Sequence, residues 1–222
     1  MADDILAVLN DVQWESVAKT FGSSHSTLLG AFVLAWNRSG KNRFTLESGC
    51  SPGAGHVGSN FCDAVFCEGD YYKPTPIGIL EVEAKPFPPQ GKGGKQPPTI
   101  YERMGRYWSP EKKGQFFQYF ANLSFAVLVA YPYGERVDEG RLKTEGRRFL
   151  DCVKRVREDF RLFLVVVQKC SEKDSIKNSI RSNSYYSFAI SNVEWCEISS
   201  TDVLAKGSFQ NPLRAGQPPA TR

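Results

Sequence analysis

Apolar residues recur at helical spacing over residues 11–21, where Val12, Trp14, Val17, Ala18 and Phe21 share a face. A second apolar stretch covers 26–37 and stops at Ser39-Gly40. The pattern predicts two N-terminal helices. It then changes to short β-type runs at 43–47, 60–68 and 77–87, the last two joined as a hairpin through the Gly- and Pro-containing segment 69–76. Helical spacing returns over 99–108 and 111–123. An apolar strand follows at 125–131, then a helix at 141–160 with Phe149, Leu150, Val153, Val156 and Phe160 as its buried stripe. Strands at 162–168 and 185–194 close the series. Strands alternating with helices predict an α/β fold. The segments 49–58 and 88–98 carry too much Gly or Pro for regular structure and read as loops. One domain is expected over 1–206, followed by a loose tail at 207–222.

Composition narrows the class without deciding the function. A chain of 222 residues with 41 % hydrophobic, 13 % aromatic and 23 % charged residues is globular, which excludes disordered, collagen-like and coiled-coil chains. The net charge of +4 is compatible with a nucleic-acid partner only if basic residues cluster. Met1-Ala2-Asp3-Asp4 lacks the basic start of a signal peptide, and the apolar runs at 27–36 and 124–131 are roughly half a membrane span. A cytoplasmic location without membrane contact is expected. The six cysteines show neither disulfide nor zinc spacing, and Gly91-Lys92-Gly93-Gly94-Lys95 is followed by Gln96, so it is no phosphate-binding P-loop. His25 and His56 have no visible partner. The basic residues of 147–161 read as the solvated face of a helix.

The chemistry is written in Gly78-Ile79-Leu80-Glu81-Val82-Glu83-Ala84-Lys85. Side chains alternate across a strand, so Leu80, Val82 and Ala84 face one way while Glu81, Glu83 and Lys85 face the other. The preceding strand carries a lone carboxylate, Asp63, in the apolar run Phe61-Cys62-Asp63-Ala64-Val65-Phe66. A hairpin turn centred near Lys73 would set Asp63 directly against Glu83. Two carboxylates about 5 Å apart repel unless a divalent cation lies between them, and hard oxygen ligands suit Mg2+ or Mn2+. Lys85 would point at the same place, able to orient a water or stabilise charge on a phosphate.

Asp63 on one strand and Glu83-x-Lys85 on the next resemble the PD-(D/E)xK nuclease superfamily. Gln115-Phe116-Phe117-Gln118-Tyr119 resembles the Gln-x-x-x-Tyr motif of its RecB-like branch. The similarity covers residues 11–168 by element order and short motifs. It implies a restriction-endonuclease-like core, a central mixed sheet flanked by helices. It further implies Asp63, Glu83 and the Ala84 carbonyl as metal ligands, Lys85 as the catalytic lysine, and Gln115 and Tyr119 on one helical face toward the metal or the DNA backbone. Glu15 matches the N-terminal acidic residue of that pattern. Cys62 stands where a proline is usual, and Pro86 where a small polar residue is.

The leading expectation is therefore a Mg2+-dependent deoxyribonuclease hydrolysing DNA phosphodiester bonds. A restriction-type site-specific endonuclease, which would need a homodimer, and a catalytically silent nuclease-fold binding module are the alternatives.

Overall fold

The computed structural model describes residues 2–19, 24–47, 62–70, 72–84, 86–87, 98–105, 123–131, 138–155, 157–169, 190–199 and 201–210. Three helices open the chain: α1 (Ala2–Asp11), α2 (Trp14–Lys19) and α3 (Ser24–Arg38). The strands β1 (Arg43–Glu47), β2 (Ala64–Asp70) and β3 (Lys73–Glu83) follow. Next come α4 (Ile100–Gly105), β4 (Phe125–Ala130), α5 (Glu139–Lys154), β5 (Arg161–Lys169), β6 (Ile190–Ile198) and β7 (Val203–Gln210).

Among the described residues the seven strands join one sheet in chain order. The pairs β1–β2, β2–β3, β5–β6 and β6–β7 are antiparallel, β2–β3 and β6–β7 through short turns. The crossovers through α4 and α5 make β3–β4 and β4–β5 parallel. The expected mixed sheet flanked by helices is therefore present. β4, Phe125-Ala126-Val127-Leu128-Val129-Ala130, is buried along its whole length because helices cover both faces of the sheet. Leu80, Val82, Val127, Val129, Phe163 and Val165 pack toward α1–α3. Ile79, Ala126, Leu128, Leu162 and Leu164 pack toward α4 and α5. Among the described residues no helix is long and apolar enough to cross a membrane.

The first layer is fastened by aromatics. Trp36 of α3 lies 5.0 Å from Phe66 and 6.0 Å from Phe125, and its indole N–H donates to the carbonyls of Phe44 (3.1 Å) and Cys67 (3.3 Å). That contact ties α3 to β1 and β2 together. Phe125 also covers Gly78 so closely that a Cβ there would stand 2.3 Å from its ring. On the other layer the buried Tyr101 hydroxyl donates to the Leu142 carbonyl at 2.8 Å and locks α4 to α5.

Several expectations need correction. The helix expected to reach 160 ends at Lys154; a turn in which the Phe160 N–H donates to the Arg157 carbonyl follows, braced by the Arg157–Asp159 ion pair at 2.8 Å. The tail expected from 207 is not loose over its first four residues, since Gly207 to Gln210 complete β7 against β6. β6 runs four residues beyond its expected end, to Ile198. The segment 2–11, given no structure from its pattern, is α1, with Ile5, Val8, Leu9 and Val12 buried at i, i+3, i+4 and i+7. The loop 49–58, nearly all of 88–98, all but the last residue of the helix expected over 111–123 and the residues beyond 210 lie outside the described residues.

Candidate functional site

The β2–β3 turn decides what faces Asp63. Asp70 pairs with Lys73, and the Asp70 carboxylate accepts the Tyr72 N–H at 2.9 Å, so the turn sits ahead of Lys73 rather than at it. Gly69 supplies the positive φ of 103° that the approach to this turn requires. A bulge between Phe66 and Cys67 shifts the ladder again, and its last pair is Ala64 with Leu80. The next position opposite Asp63 is then that of Glu81. The expected direct pairing of Asp63 with Glu83 is incorrect by two residues.

Asp63 stands one residue before β2, and its side chain extends the ladder. Its N–H donates to the Leu80 carbonyl at 3.0 Å, and its Oδ2 accepts the Val82 N–H at 2.7 Å. Its Oδ1 takes His25 Nε2, from the first turn of α3, at 3.1 Å. The lone carboxylate in an apolar run thus has a local explanation: it satisfies a strand amide where β2 has ended.

Glu83 closes β3, and its Oε2 is bound by Arg103 Nη2 of α4. Arg103 Nε is buried and has no hydrogen-bond partner. Asp63 and Glu83 are 24 % and 22 % exposed, open enough for a ligand from solvent to reach either. The two carboxylates occupy the same end of adjacent strands and are met by His25 and Arg103 from opposite helical layers. Both act on His25: its pKa is raised chiefly by the hydrogen bond to Asp63, against desolvation, with further help from the charges of Asp63 and Glu83. An imidazole that sequence reading left without a role is therefore part of the site.

The remaining predicted residues separate. Glu81, expected to share a charged face with Glu83, is buried; burial pushes the Cys62 thiol well above its ordinary value, and the Glu81 and Asp63 charges add to this. Ala84 follows the strand and packs partly against the first layer. Lys85, Gln115 and Tyr119 lie outside the described residues. Glu15 is exposed in the first turn of α2.

Among the described residues no group of three or more His, Cys, Asp or Glu stands together as a metal cage. Mg2+ is commonly held through one or two carboxylates with waters filling the rest, so a pair of partly exposed carboxylates suits such an ion in donor chemistry. Each carboxylate would exchange a basic side chain for it. No protein family, curated protein or solved structure matches this chain.

Proposed function

We propose that the chain is a metal-dependent deoxyribonuclease that hydrolyses DNA phosphodiester bonds, with Asp63 and Glu83 holding Mg2+ or Mn2+. One observation carries this reading: two partly exposed carboxylates at one end of neighbouring strands, beside the C-terminal ends of parallel strands, where open α/β sheets take their ligands. When bound, the ion supplies an activated water and neutralises phosphate charge.

The chain's own groups do the rest. His25 holds the Asp63 carboxylate at 3.1 Å, and the Val82 N–H fixes its other oxygen, so this ligand is oriented before anything binds. The Ala84 carbonyl is the third oxygen in this reading. Lys85 carries the ammonium that stabilises the developing phosphate charge. Gln115 and Tyr119 offer hydrogen bonds to the substrate backbone rather than strong ligation.

The test is incubation of the purified protein with circular and linear DNA in Mg2+, Mn2+ or EDTA, beside Asp63→Asn and Glu83→Gln. Metal-dependent cleavage lost in both variants is expected; equal cleavage by the parent and both variants would refute the site. Opening of the circle identifies an endonuclease, and fragments of fixed length a site-specific one, for which a homodimer is expected. The Glu83–Arg103 ion pair favours a second reading, a silent nuclease-like module in which the pair is a structural clamp. DNA binding without cleavage in any metal is its signature.

A further inference from the structure

The crossovers that make β3, β4 and β5 parallel leave from the strands' C-terminal ends, so α4 and α5 both begin at the edge that carries Glu83. Two arginines arrive there with them. The Ile100 N–H donates to the Pro86 carbonyl at 3.0 Å, docking the start of α4 just beyond Glu83. Arg103, in the last turn of this short helix, then reaches the Glu83 carboxylate and leaves its Nε without a partner. Arg141, in the first turn of α5, lies over the Phe87 ring at 4.0 Å.

Neighbouring carboxylates are occupied elsewhere. Glu102 accepts the Thr99 N–H at 2.6 Å, Asp138 accepts the Arg141 backbone N–H at 2.9 Å, and Glu139 pairs with Lys143 at 3.4 Å. Among the described residues the Arg141 guanidinium has no carboxylate partner. Stacking on an aromatic ring leaves a guanidinium's edge N–H groups free, and that fork matches the oxygens of a phosphate.

We propose that Arg103 and Arg141 hold the phosphodiester backbone of DNA along the α4/α5 side of the Asp63–Glu83 edge, Arg103 passing from Glu83 to a phosphate when DNA binds. This deepens the deoxyribonuclease reading by naming the side from which the substrate strand approaches. The physical basis is charge: each phosphate neutralised by an arginine releases condensed counterions, so affinity falls with salt in proportion to the contacts made.

The experiment measures binding of a fluorescently labelled DNA duplex in EDTA, where no cleavage occurs, by anisotropy over a series of salt concentrations. Arg103→Gln and Arg141→Gln should each weaken binding several-fold and reduce the slope of log affinity against log salt by about 0.9. Arg103→Lys keeps the charge and should restore the slope. Arg148→Gln is the control, because Arg148 is 72 % exposed and pairs with Glu145 within α5; its slope should equal the parent's. Unchanged slopes in Arg103→Gln and Arg141→Gln overturn the proposal, as does an equal loss in Arg148→Gln, which would mean a diffuse basic field. A parent that cuts DNA while the two variants keep its slope removes the interface and leaves the nuclease reading. A parent that shows the predicted slopes but never cuts does the reverse, and one that binds no DNA overturns both.

Discussion

Replacing Asp63 with alanine tests the site and its scaffold together. If Asp63 and Glu83 faced each other as a repelling pair, removing one would leave the metal-free protein as stable or more so. The structure reverses that expectation. Asp63→Ala deprives the N–H of the buried Val82 of its acceptor, which costs about 1–3 kcal/mol. It also breaks the His25–Asp63 pair, whose partners are 37 % and 24 % exposed, worth about 0–1 kcal/mol after solvent screening. The sum is about 1–4 kcal/mol, and for a domain of this size each kcal/mol lowers Tm by about 2–4 °C. Asp63→Asn retains one carbonyl acceptor for Val82 and should lose only about 1 kcal/mol. Urea and thermal unfolding of the metal-free proteins give both values. An Asp63→Ala protein unfolding at or above the parent's urea midpoint would show that the Val82 hydrogen bond contributes nothing and that carboxylate repulsion dominates the edge.

Gly78→Ala sets a Cβ at 2.3 Å from the Phe125 ring, which Phe66, Trp36 and Phe163 confine, so overpacking of about 1–3 kcal/mol is expected; Phe125→Leu in the same chain should recover part of it in urea denaturation. Lys85→Met should cut metal-dependent cleavage by about 100-fold or more while DNA affinity measured by anisotropy stays close to the parent's. His25 titrates above its ordinary value, so the stability its pairing gives is fully present below the unfolded histidine pKa of about 6.5 and is lost as pH rises through the higher folded value. The chain has two histidines, so proton NMR of the metal-free protein can follow this one directly; an Asp63→Asn variant with an unmoved His25 titration would contradict the assignment of cause.

The central strands were legible because they are buried on both faces and read as unbroken apolar runs, as in residues 125–130. β7 was not, because its alternation has little contrast: Leu204 points out, 65 % exposed, while Gly207 faces in beneath the Trp195 ring. The existence of β2 and β3 could be read from the sequence, which placed Asp63 and Glu83 near one another, but not their ends: expected at 60–68 and 77–87, they run Ala64–Asp70 and Lys73–Glu83. Their register could not be read either, since a bulge and a turn set ahead of Lys73 each move the pairing, and neither a bulge nor its position is encoded in alternation alone. The two basic side chains at the site come from helices distant in sequence, Arg103 lying 20 residues beyond Glu83 and His25 preceding β1, and only tertiary docking brings them in. The same holds for Arg141, which the pattern gave only as the first residue of a helix.

The division of the two carboxylates between opposite helical layers has a consequence for assembly. Asp63 gains its His25 partner only once α3 has settled on one face of the sheet, and Glu83 its Arg103 ion pair only once α4 has settled on the other. A half-built molecule with one layer in place carries a partly shielded charge at its working edge, an arrangement that raises the free energy of such intermediates relative to the finished fold. The edge that would receive DNA is thereby charge-balanced only when both halves of the core have closed, so completion of the fold and readiness of the site are one event.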